Sequence, residues 1–233
     1  MNGRPSFPVI GVHQIEMTSE CNLRCRYCVH PTMARPKQHM DDLTYRQTLA
    51  QVSLLIKRQD RRQRELNLAG IGESTMHPDF VRNVFLAREA VGLSVELIIA
   101  TNGLLMTPAM AMAIKAARPR VWVSLHRPEK AGPAVEALKA AGILAGVSAD
   151  PSVSSVNWAG QVKWHVSTPI KGSACPWVPK GMVFVMADGR VTRCCFDGVG
   201  SDTLGTVWDD LCAMHTSAFS LCDSCHHNVT VAA

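Results

Sequence analysis

The chain has 233 residues, 47% of them hydrophobic and 6% aromatic, with 24 Lys and Arg against 19 Asp and Glu for a net charge of +5. That length suits one sizeable α/β domain with a small appendage, and the composition excludes a disordered or fibrous chain. No apolar run of about eighteen residues is present, which argues against a membrane span.

From residue 13 to about 167, short apolar runs alternate with longer amphipathic ones. The pattern predicts strands at 13–18, 65–70, 95–101, 120–125, 143–149 and 162–167, with helices at 42–58, 78–91, 107–117 and 129–141. Helix starts are signalled by "HPD" at 77–79 and "TP" at 107–108. Repeated strand–helix units imply a parallel sheet, and six of them imply a partial (β/α)6 TIM-like barrel. After residue 168 the helical rhythm stops. "GMVFVMADGRVTRCC" reads as a hairpin turning at Asp188-Gly189, followed by a short helix at 206–219 and a terminal "CDSC". Two domains are expected, residues 1–167 and 168–233.

In such sheets, chemistry gathers in the loops at the C-terminal strand ends. "TSECNLRCRYC" follows the first predicted strand, "GIGES" the second, "TNG" the third, "HRP" the fourth and "AD" the fifth. The N-terminus lacks a signal-peptide core, so nine cysteines imply metal or redox use in a reducing cytoplasm rather than a disulfide framework. Cys21, Cys25 and Cys28 have C-x3-C-x2-C spacing, whereas structural zinc needs four ligands. His30 could complete a zinc set only by turning back sharply. Three thiolates can instead hold an iron–sulfur cluster with one iron left open for a reacting molecule.

This spacing, with Tyr27 before the last cysteine, resembles the signature of the radical S-adenosylmethionine (SAM) superfamily. The resemblance implies a 4Fe–4S cluster on Cys21, Cys25 and Cys28, with SAM on the open iron. It also implies a 5′-deoxyadenosyl radical that removes a substrate hydrogen, and an external electron donor such as flavodoxin or ferredoxin. "AGIGESTMHPDF" is similar to the family's GGEP segment at Gly70, Gly72 and Glu73, with Ser74 replacing the usual proline. There the glycines would let backbone approach the ligand, and the carboxylate would suit the SAM ammonium. An ordinary strand-to-helix turn is the other reading. Thr101, Asn102 and Ser124 are placed by the same resemblance near SAM, while His126, Arg127 and Asp150 would face substrate.

Cys175, Cys194, Cys222 and Cys225 resemble the shortened SPASM extension called twitch, which implies a second, auxiliary 4Fe–4S cluster. A four-cysteine structural zinc site is the alternative. Gly189-x4-Cys194 favours Cys194 over its neighbour and leaves Cys195 and Cys212 as small buried hydrophobes.

Among the family's substrates, three classes suit this chain: amino-acid-modified thymine in DNA, a small alcohol or aminocyclitol, and a peptide. "CRYCVHPTMARPK" resembles phage proteins that elaborate thymidine, and "IKRQDRRQRE" at 56–65 is either a solvated helix end or a phosphate-binding patch. The expectation is therefore an isomerase acting on modified DNA, in the host cytoplasm if phage-encoded. A twitch-type dehydrogenase is the alternative, followed by a peptide-modifying enzyme and a non-enzymatic metal-binding module.

Overall fold

The computed structural model describes residues 4–58, 63–148, 158–163, 173–225 and 227–228. Strand β1 (Ser6–Pro8) leads into β2 (Gly11–Ile15), and the cysteine loop then connects to helix α1 (Asp42–Arg58). Three strand–helix units follow: β3 (Glu65–Asn67) with α2 (Phe80–Val91), β4 (Glu96–Thr101) with α3 (Pro108–Ile114), and β5 (Arg120–Ser124) with α4 (Pro128–Ala141). Next come β6 (Leu144–Ser148), β7 (Ser173–Ala174), β8 (Met182–Val185), β9 (Arg190–Thr192), β10 (Thr203–Thr206), β11 (His215–Ser217), helix α5 (Ser220–Asp223) and β12 (His227–Asn228).

Local chemistry sets the helix starts. The Asp41 carboxylate accepts from Thr44 N at 2.9 Å ahead of α1, and Thr107 Oγ1 accepts from Met110 N at 3.1 Å ahead of α3. Pro108 and Pro128 occupy first-turn positions, where a missing N–H costs nothing. Alternate residues of the strands, such as Leu97 and Ile99 or Val121 and Val123, are fully buried against the helices. Ala100 and Ser124, on the other face, turn toward the concave side.

The principal sheet has the order β10-β9-β8-β2-β3-β4-β5-β6, with β2 to β6 parallel and β8 parallel to β2. This is the expected α/β partial barrel, and it does not close. The hairpin β8–β9 does not form a separate layer. Its first strand lies along β2, so the sheet runs from the barrel into the C-terminal region. Val183, Phe184 and Val185 are all at most 2% exposed, and a continuous apolar run of that kind suits a strand covered on both faces.

Two expectations change. No helix spans 206–219; a tight turn at Leu211–Ala213 and strand β11, paired antiparallel with β1, replace it. Side-chain caps divert the backbone there: Asp209 accepts from Thr206 N at 2.8 Å, and Asp210 accepts from Cys212 N at 3.0 Å. The predicted strand at 162–167 falls mostly outside the described residues, and Val162 and Lys163 are not in a strand.

The basic run is also placed by topology. Helix α1 returns from the cysteine rim to the start of β3, so Lys57 and Arg58 sit at the opposite end of the sheet from the cysteines. Arg58 lies 4.0 Å from Asp210, both exposed, and Arg61 and Arg62 lie outside the described residues. Among the described residues, no helix is long and apolar enough to cross a membrane.

Candidate active site

The loops at the C-terminal ends of β2 to β5 enclose a cavity of about 350 Å³. Its wall includes Cys21, Cys25, Cys28 and Tyr27 from the first loop, and Gly70, Gly72 and Glu73 from the second. Thr101 and Asn102 come from the third, and Ser124 and His126 from the fourth. Every residue singled out around the first cysteine triplet thus reaches one cavity, except two. Arg127 is exposed at the start of α4 and does not line it, and Asp150 lies outside the described residues.

The cysteine loop is held by its own backbone. Leu23 N donates to Cys21 Sγ at 3.5 Å and His30 N to Cys28 Sγ at 3.4 Å, while Cys28 N donates to Cys25 O at 3.0 Å. Burial pushes the Cys21 thiol up to about 11 and raises that of Cys28. Both are therefore protonated at neutral pH, and a metal bound there must displace protons. His30 Nε2 donates to Ser19 O at 3.1 Å, which leaves Nδ1 as the acceptor atom; it is buried and has no hydrogen-bond partner. Burial, aided by Lys37, keeps this imidazole below its ordinary pKa.

Gly70 and Gly72 line the cavity and also let two loops pack closely. A Cβ on Gly72 would lie 2.2 Å from Thr18 O and 2.5 Å from Glu20 O, and one on Gly70 would lie 2.3 Å from Glu16 Cγ. The glycines let the second loop pack against the first, with Glu73 N donating to Glu20 O at 2.8 Å. Gly72→Ala is expected to push the cysteine loop outward, costing about 1–3 kcal/mol as overpacking does and lowering the iron bound after reconstitution. Thermal unfolding and an iron assay check this, and unchanged values would return Gly72 to an ordinary turn residue.

Glu73, 4% exposed, is tied into the protein. Its Oε1 accepts from Thr75 N, Thr75 Oγ1 and Thr101 Oγ1 at 3.2, 2.6 and 2.7 Å, and Oε2 accepts from Asn102 N at 2.7 Å. The carboxylate thereby locks the ends of β3 and β4 together. Oε2, with a single donor, retains acceptor capacity. Asn102 Nδ2 donates to Asn22 Oδ1 at 2.7 Å and ties this rim to the cysteine loop. Across the cavity, the Tyr27 hydroxyl and His126 Nδ1 are 2.7 Å apart, with their rings stacked at 5.8 Å.

Behind the cavity is a junction that no motif indicated. Arg35 Nη2 donates to both Glu16 carboxylate oxygens at 2.7 Å, and its Nε donates to Gly198 O at 2.8 Å. Glu16 also accepts from Ile71 N and Ala187 N, each at 3.0 Å. Both side chains are 4% exposed. One buried ion pair therefore joins β2, the cysteine loop, the β3 loop, the β8–β9 turn and the chain after β9. The only hint in the sequence was an acidic residue inside an apolar strand.

A second, apolar pocket brings Cys175, Cys194, Cys222 and Cys225 together with Arg193, Trp177, Phe196 and Phe219. Burial pushes the Cys222 thiol up to about 11. Cys194 and Cys195 share a hydrogen bond that lowers the first thiol and raises the second. Cys195 lines a separate crevice beside Glu16 and Arg35, and Cys212 packs partly buried against the main core. Among the described residues, no three His, Cys, Asp or Glu side chains converge tightly enough to hold one metal ion. The cysteines of each set instead share the wall of a common cavity.

Phe196 lines both pockets. Its ring meets Trp158 at 5.6 Å and Trp177 at 6.0 Å, both edge-on, and Trp158 Nε1 donates to Tyr27 O at 3.0 Å. The two cysteine sets are thus separated by a packed aromatic wall.

Known structures share this architecture. The chain is similar to BtrN in complex with AdoMet and 2-DOIA, at 19% identity and TM-score 0.72, covering 89% of this chain and 83% of that one. It is also similar to anSMEcpe with bound AdoMet, at 15% identity and TM-score 0.61, covering 88% and 80%. No curated protein matches its sequence. The model of the Radical SAM superfamily matches residues 15–166. With the three cysteines on the rim of an open parallel barrel, the chain belongs to the radical SAM superfamily, whose members work with S-adenosylmethionine and a 4Fe–4S cluster.

Proposed function

We propose that this radical SAM enzyme oxidises a small hydroxyl-bearing substrate to a carbonyl compound. Cys21, Cys25 and Cys28 hold the SAM-binding cluster, and Cys175, Cys194, Cys222 and Cys225 hold an auxiliary one in a C-terminal unit beginning near residue 168. The observation that carries this proposal is the shared wall: Phe196 lines both the reaction cavity and the pocket of the second cysteine set.

When bound, the cofactors supply a 5′-deoxyadenosyl radical at the first site and an acceptor for one electron at the second. The donor sets fit these roles. Three soft thiols face the first cavity and leave one cluster position for SAM, whereas four thiols fill every position at the second. Glu73 Oε2 and the Asn102 rim orient the amino-acid end of SAM. Loss of a hydrogen atom from the carbinol carbon leaves a carbon radical. That radical becomes a carbonyl by losing one proton from its hydroxyl and one electron. Tyr27 and His126 face the cavity as the pair across which the proton leaves. Trp158 and Phe196 exclude water on the side facing the second pocket.

An isomerase acting on amino-acid-modified thymine in DNA loses its electrostatic support, since the basic end of α1 lies away from the cavity mouth.

The test is anaerobic reconstitution with iron and sulfide, then SAM and dithionite, with 5′-deoxyadenosine measured against three substrate sets. These are free aminocyclitols and related alcohols, DNA carrying amino-acid-modified thymine, and short peptides. A free alcohol should stimulate cleavage and give a product lighter by two hydrogens. Stimulation by the DNA alone, with no change in mass, would replace the oxidation by an isomerisation.

A further inference from the structure

We infer that Arg193 sets the reduction potential of the C-terminal cluster and makes that cluster a competent electron acceptor. The inference rests on the auxiliary cluster proposed above. Apart from the four cysteines and Arg193, the second pocket is walled by apolar side chains, including Trp177, Val178, Phe196, Phe219 and Leu221. Four thiolates around a 4Fe–4S core leave a net negative charge that grows by one on reduction. An apolar wall opposes that added charge and depresses the potential. A guanidinium in the same wall offsets it, and arginine remains charged at any working pH.

Arg193 is the one charged residue among the described residues lining this pocket. Its side chain is 17% exposed and fixed by Nη1 donating to Ser217 Oγ at 2.7 Å. Nε lies 3.3 Å from Asp202 Oδ2, an ion-pair contact, yet it is buried and makes no hydrogen bond. Asp202 is 33% exposed, so solvent screens the carboxylate more than the guanidinium. Asp197, an acidic neighbour of Cys194, accepts from Thr192 Oγ1, Ser201 N, Ser201 Oγ and Asp202 N. Its charge is therefore spread over a local network. Arg193 adjoins Cys194 in the chain and reaches β11 through Ser217, so the sheet edge holds it against the pocket.

The experiment uses the full chain with Cys21, Cys25 and Cys28 replaced by alanine, leaving only the second site. Iron analysis and electron paramagnetic resonance of the reduced protein first ask whether a four-iron cluster is present. If none loads, the auxiliary-cluster proposal fails and this inference falls with it. If one loads, redox titration compares Arg193→Gln and Arg193→Lys with the parent. Arg193→Gln should lower the reduced-to-oxidised ratio at fixed potential at least tenfold, a drop of about 59 mV. Arg193→Lys should recover most of that loss. Asp202→Asn, which unmasks the guanidinium, should shift the midpoint upward and gives an independent reading if the glutamine variant does not fold. An unmoved midpoint in Arg193→Gln, or in Asp202→Asn where the glutamine variant is unfolded, overturns the inference.

Discussion

Cys25→Ala is expected to abolish reductive cleavage of SAM, with 5′-deoxyadenosine formation falling at least about a thousandfold, or some 4 kcal/mol of barrier. The variant should also lose about four iron atoms per chain. Two thiols cannot hold the cluster, and the unpartnered His30 Nδ1 in the cavity wall is a nitrogen rather than the thiolate a 4Fe–4S cluster takes. Glu73 is committed to Thr75, Thr101 and Asn102, and the Tyr27 hydroxyl faces His126. Cys212→Ala is the control, because Cys212 lies outside both cavities and packs on the core. Reconstitution, iron analysis and chromatography of the nucleoside give the answer. Retained turnover in Cys25→Ala would remove the three-cysteine site from the chemistry.

Arg35→Met should be the most destabilising single change outside the cysteine sets, costing about 3–5 kcal/mol because it leaves the Glu16 carboxylate buried without its cation. For a chain of this size that corresponds to a fall of roughly 10 °C in melting temperature. The loss should be felt at both sites, since Arg35 joins Glu16 to Gly198 and Glu16 joins Ile71 to Ala187. Arg46→Met supplies the contrast. Its pair with Asp42 is exposed, and surface pairs contribute about 0–1 kcal/mol. Thermal unfolding of the two variants decides the matter, and equal melting temperatures would mean the buried pair does not brace the site.

The barrel was legible because its signals are local. The strand starting at Glu96 and the helix starting at Asp42 follow from alternation and 3.6-residue periodicity. The expected helix at 206–219 failed because Asp209 and Asp210 cap turns with their own side chains, which periodicity does not register. Gly70 and Gly72 are legible as points of close backbone approach, and the structure adds loop packing to that role. A Cβ at either position would meet Glu16, Thr18 or Glu20, while both glycines also line the cavity.

Sequence alone determined the superfamily, the parallel barrel and the two cysteine sets. Each is written in short spacings or in a periodic pattern, which need no knowledge of distant residues. The tertiary structure decided three further points. β8 joins β2, so the C-terminal region continues the barrel sheet. Phe196, 168 residues beyond Cys28 in the numbering, becomes the wall between the cavities. The basic end of α1 lies at the far end of the sheet from the chemistry. All three depend on pairing and direction across the fold, because a strand's partner and a helix's far end are set by chain return rather than by local composition.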